Sequence, residues 1–95
     1  MVKQVEKRDG RIVKFNKSKI ISAIQSAMED SGDGISHDIA NAIALGISET
    51  EADVLNVDSI HKQVEKGLSK AGLKKSLKMY KSYLFHFLQK RILHQ

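Results

Sequence analysis

From residue 17 onward, apolar positions recur at helical spacing; before residue 16 they follow a shorter period. Ile20, Ile24, Ala27 and Met28 stand at i, i+4, i+7 and i+8, which puts one apolar stripe on one face of a helix. Asn16 is a plausible N-cap ahead of that stripe, and Ser31-Gly32-Asp33-Gly34 breaks it, so a first helix is predicted over about 17–31. A second helix, about 36–50, has Ser36 as cap and Ile35, Ile39, Ala42, Ile43, Ala44 and Ile47 as apolar positions. Its small residues Ala40, Ala42, Ala44 and Gly46 allow a neighbouring helix to come close. Glu49 to Val54 reads as an acidic connection. A third helix, about 57–71, carries the stripe Ile60, Val64, Leu68 and Ala71, with Lys62, Glu65, Lys66 and Lys70 toward water. Gly72 then supplies the glycine that often follows a helix end. The fourth, about 73–93, carries Leu73, Leu77, Tyr80, Leu84, Phe87 and Leu88.

Residues 2–15 read as a hairpin. Val2 to Arg8 and Arg11 to Phe15 flank Asp9-Gly10, a strong two-residue turn signal. Such a turn pairs Arg8 with Arg11, Lys7 with Ile12 and Val5 with Lys14. It places Glu6, Val13 and Phe15 on one face, and Val5 and Ile12 on the other. A hairpin alone is marginal in water, so one face must rest on the helices; the other, half-open, could cover a flat apolar ligand. The expected fold is α+β in a single domain over 1–95. An N-terminal β-hairpin, a short antiparallel sheet, caps a four-helix bundle whose short connections favour antiparallel neighbours. Near the chain's end, Tyr83-Leu84-Phe85-His86-Phe87-Leu88 is apolar all round. Either the bundle wraps this face or it meets another subunit or domain, and contact outside the domain is the favoured reading.

Composition narrows the function classes. The chain is 41% hydrophobic and 28% charged, in the ordinary globular range. No run of about 18 apolar residues spans a membrane, and no signal-peptide pattern opens the chain, so a cytoplasmic setting is expected. Without cysteine there is no disulfide framework, thiolate zinc site or thiol nucleophile. His37, His86 and His94 lack metal-ligand spacing, so no metal site is assigned. No catalytic constellation appears, and the glycine loop of P-loop enzymes is missing. Binding without turnover is the expectation.

Charge supplies the candidate chemistry. Between Val5 and Ile20, the six cations Lys7, Arg8, Arg11, Lys14, Lys17 and Lys19 are offset only by Glu6 and Asp9. Lys17 and Lys19 fall in the first turn of a helix, where the macrodipole is already positive and acids are preferred. A polyanion held by free amides, lysines and an arginine resolves that arrangement, and a nucleotide triphosphate is the anion hypothesised.

Taken together, Val5-Glu6-Lys7-Arg8-Asp9-Gly10, Phe15-Asn16 and Lys19-Ile20 resemble the start of the ATP-cone domain. That regulatory nucleotide-binding module is best known at the N-terminus of ribonucleotide reductases and in a bacterial repressor of their genes. The resemblance extends over the chain. Asn56 to Leu68 looks like the family's third helix, and Lys78-Met79-Tyr80 with Tyr83 like its last. It implies ATP or dATP as allosteric ligand, with magnesium able to bridge the phosphates. Carried over to this chain, it implies Val5 and Lys7 beside the base and phosphates, and Arg8 on the phosphates. It further implies Gly10 closing the turn, Asn16 and Lys19 at the phosphate-binding helix start, and Ile20 beneath the base. His61 falls where a ribose-facing histidine can stand. The bland alternative for His61 is a surface histidine beside Glu65 at i+4, and Tyr80 and Tyr83 read as core or interface residues. The chain departs from the family at Asn16 (often Asp), at Val57 (near a Ser or Thr) and at Leu84, where a Tyr-Arg pair is common.

The implied partners are adenine nucleotide and a fused or separate catalytic subunit, or self-association through the fourth helix. A rival reading is a basic nucleic-acid-binding or transcriptional-regulator module, supported by a net charge of +5 and the Lys74, Lys75, Lys78 and Lys81 face. Against it, aromatics are only 5% and none interleaves with those lysines. A third reading is a degenerate cone that keeps only protein interaction.

Overall fold

Three short strands and four helices follow in the order β1 (Gln4–Glu6), β2 (Ile12–Lys14), α1 (Lys17–Ser31), α2 (His37–Ser48), β3 (Val54–Asn56), α3 (Val57–Lys70) and α4 (Lys74–Leu93). The computed structural model describes the backbone of residues 1–93 and the side chains of residues 1–83. The proposed outward apolar face at Leu84, Phe85, His86, Phe87 and Leu88 therefore lies outside the described side chains.

The fold is α+β, but its sheet is mixed rather than antiparallel. Strand order is β2-β1-β3, with β1 antiparallel to β2 and parallel to β3. The third strand falls at the end of the stretch read as an acidic connection. Only three residues long, it pairs with β1 across a crossover formed by α1 and α2, the long connection that parallel strands require.

The hairpin register also differs from the two-residue-turn expectation. Val5 pairs with Val13 and Glu6 with Ile12. The Lys7 N–H donates to the Arg11 carbonyl at 2.8 Å and the Gly10 N–H to the Lys7 carbonyl at 3.0 Å. Arg8, Asp9 and Gly10 thus make a three-residue loop closed by Gly10 at φ +88°, a left-handed conformation natural to glycine. Asp9 braces that loop, accepting from the Arg11 N–H at 3.1 Å and from Arg11 Nε at 2.7 Å. A slip of one residue flips every side chain. Val5, Val13 and Phe15 therefore join the core, whereas Ile12, expected to share a face with Val5, is 49% exposed.

The core is built from Ile24, Ala27 and Met28 of α1, Ala40 and Ile47 of α2, Ile60, Val64 and Leu68 of α3, Tyr80 of α4 and Val5 of β1. α1 lies against α2 and α4, and α3 against the same two helices. Side-chain caps open three helices. Asn16 accepts from the Ser18 N–H at 3.0 Å, Ser36 from Ile39 at 3.3 Å and Asn56 from Ser59 at 2.8 Å. Such caps are worth about 1 kcal/mol each. α3 ends in a Schellman motif, with the Leu73 N–H reaching the Leu68 carbonyl at 3.0 Å and the Gly72 N–H reaching Ser69 at 3.0 Å.

Candidate functional site

The parallel pairing of β1 and β3 decides what stands beside the hairpin tip. Glu6 is paired with Asn56, so the chain leaves β1 at Lys7 and Arg8 just where α3 begins. Arg8 Nε donates to Asp58 Oδ1 at 2.9 Å, and Arg8 Nη2 lies 2.8 Å from the same oxygen. Asp58 sits in the first turn of α3, where a carboxylate also favours the helix dipole. With side chains 31% and 58% exposed, this is a surface ion pair, contributing roughly 0–1 kcal/mol.

One turn along α3, His61 is half-buried, with Nδ1 2.9 Å from the Tyr80 hydroxyl and the two rings edge to face at 5.9 Å. Burial pushes the imidazole pKa down, and the Arg8 charge adds to this; Asp58 and Glu65 oppose it, and Lys7 reinforces it. Burial thus favours the neutral imidazole over the imidazolium. The Tyr80 hydroxyl is pushed up to about 12, by burial first and then by Glu65. Nδ1 is engaged by the Tyr80 hydroxyl. The surface reading beside Glu65 is thereby corrected: His61 is tied to α4, and Glu65 reaches it only as a field.

The candidate residues fall into two groups. Lys7, Arg8, Gly10 and His61 gather where the hairpin tip meets α3. Asn16, Lys19 and Ile20 stand at the start of α1, at the other end of the hairpin, where the Phe15 N–H donates to the Lys3 carbonyl at 3.0 Å. The four residue steps of extended chain from Arg11 to Phe15 separate the two levels by about 13 Å. Apolar packing joins them, since Val5, Ile20, Val13, Phe15 and Val57 all belong to one cluster. Val5 is 8% exposed and Ile20 half-buried, so both belong to the core side of this region. Asn16 Oδ1 is committed to its cap.

The first turn of α1 contains no acidic residue, and Lys17 and Lys19 are exposed there. Among the described residues, Lys7, Lys14, Lys17 and Lys19 make no ion pair; the ion pairs of this region belong to Arg8 and Arg11. No group of three His, Cys, Asp or Glu able to hold a metal stands among the described residues. Nor is any of their helices long and apolar enough to cross a membrane. An open groove of about 730 Å³ lies elsewhere, between α2 and α3, lined by Ile39, Ile43, Gly67 and Lys66 among others.

Sequence reasoning missed Asp58 and Tyr80 as members of this corner. Asp58 precedes His61 by three residues, a spacing that shares a helix face and could have flagged it. Tyr80 is brought there only by the packing of α3 on α4.

A family model described as the ATP cone domain matches residues 3–86. No curated protein matches the chain.

Proposed function

The chain belongs to the ATP-cone family and is a nucleotide-binding regulatory module, and from that premise we propose that it senses ATP or dATP around the hairpin and the start of α1. The observation that carries this reading is the set of unneutralised cations Lys7, Lys14, Lys17 and Lys19, two of them in a helix turn that holds no acid. The positive end of a helix dipole and adjacent ammonium groups together favour a polyphosphate. Lys7 and Lys19 would hold phosphates, Asn16 would fix the helix start, Val5 and Ile20 would support the base, and His61 would meet the ribose. Magnesium would travel on the phosphates, because the described residues offer no cluster of ligands for it.

The output is a change of packing at the hairpin or along α4 that alters oligomeric state or a catalytic partner such as a ribonucleotide reductase. For that output to be allosteric, ATP and dATP must differ in affinity between two arrangements. Calorimetric titration with each nucleotide, with and without magnesium, tests the site. Micromolar binding lost in Lys7→Ala and in Lys19→Ala supports it, and no binding by the unaltered chain ends it. Sedimentation with each nucleotide tests the output.

One observation favours a second reading. Lys74, Lys75, Lys78 and Lys81 are all exposed on α4, a strip that suits a nucleic-acid backbone. Tyr80 is buried and Tyr83 half-buried, so the strip lacks an exposed aromatic platform. DNA binding that falls steeply with salt and ignores ATP would favour this alternative.

A further inference from the structure

The arginine at the hairpin tip already has an anionic partner. Asp58 Oδ1 takes both contacts from Arg8, at 2.9 Å from Nε and 2.8 Å from Nη2, while the neighbouring Lys7 has no ion-pair partner among the described residues. The contact joins segments 50 residues apart and ties the loop to the first turn of α3. An N–H spent on Asp58 is not available to a phosphate oxygen, and a carboxylate left beside a polyphosphate repels it. Resting on the nucleotide reading of this corner, we propose that Asp58 is a built-in competitor for Arg8. It stands in for the anion in the ligand-free protein, and a polyphosphate must displace it to take the Nε–Nη2 edge of the guanidinium, the edge the carboxylate holds. Displacement releases the hairpin tip from α3, so one exchange of partners both lowers affinity and reports occupancy. The site then selects for high charge, since a weakly charged anion gains too little at Arg8 to break the pair.

The test is a double-mutant cycle. The unaltered chain, Asp58→Asn, Arg8→Ala and the double variant are titrated with ATP and with inorganic tripolyphosphate, and thermal melts verify that each folds. Asp58→Ser runs in parallel, should Asp58→Asn fold poorly. Both Asp58 variants are expected to bind each ligand about two- to fivefold tighter, the size set by breaking an exposed pair. That gain is expected to vanish when Arg8 is absent. Binding unchanged or weakened in the Asp58 variants overturns the proposal while leaving the nucleotide reading standing. So does a gain that persists without Arg8, because Asp58 would then act only as a general repellent. Failure of all the chains to bind either ligand overturns the nucleotide reading, and this proposal with it.

Discussion

Asp33 accepts two hydrogen bonds from Ser76, one from the backbone N–H at 2.9 Å and one from the hydroxyl at 2.8 Å. The loop that ends α1 thereby caps the first turn of α4 from a distance, and Ser76 is fully buried beneath it. Ser76's hydroxyl bond is the largest influence holding the Asp33 carboxyl below its ordinary pKa. A carboxyl depressed in the folded state adds stability above its unfolded pKa, about 3.9, and loses it as pH falls through the depressed value. Asp33→Asn should therefore lower Tm at pH 7. The gap to the unaltered protein should close as the pH drops below about 4, as melts at a series of pH values will show.

His61 gives a spectroscopic readout of the site. Its pKa is lowered by burial and then by the charge of Arg8. The unfolded chain takes up a proton near pH 6.5 and the folded one only below that, so this residue's contribution to stability falls on acidification through that window. A triphosphate beside Lys7 and Arg8 would offset their charge. NMR titration should accordingly find the His61 pKa higher with ATP than without it; an unchanged value would place the phosphates elsewhere. Tyr80→Phe, which removes the bond to Nδ1, should cost about 1 kcal/mol in denaturant unfolding.

Lys17 and Lys19 oppose the dipole of the helix they open. Replacing both with glutamate should stabilise the free protein by roughly 0.3–1 kcal/mol per site, because acids suit a helix start. The same variant should lose nucleotide binding. A chain that gains stability as it loses its ligand separates a binding role from a structural one. Melting and calorimetry on one preparation suffice.

Gly67 of α3 sits tightly against Ile43 of α2. A Cβ built there would lie 2.7 Å from Ile43 Cγ1. Gly67→Ala should destabilise by about 1–3 kcal/mol through overpacking. Adding Ile43→Ala, which removes the obstructing atoms, should restore much of that loss, a coupling that a double-mutant cycle measures directly.

The helices were legible because each combines an apolar stripe with a local cap, as Asn16 and Gly32 do for α1. The hairpin was legible in outline but not in register. Asp9-Gly10 serves a two-residue turn or the end of a three-residue loop equally well; a type I′ two-residue turn needs positive φ at both residues, and here only Gly10 adopts it. That one-residue difference moved Val5 and Val13 onto the same face. β3 left no trace of its own, since three residues make no period and its reason to be extended is β1, far away in sequence. The cations of the candidate site could be read directly. Their surroundings could not, because Asp58 and Tyr80 are set beside Arg8 and His61 by tertiary packing.

The parallel pairing of Gln4 with Val54 has a consequence for synthesis. A ribosome releases the first strand early, and α1 and α2 can form behind it with purely local contacts. The corner where the tip meets α3 exists only after Asn56 has emerged and the third strand has slid into place. A chain cut short before that point would carry every lysine of the proposed site and still lack the arrangement that gives them a common target.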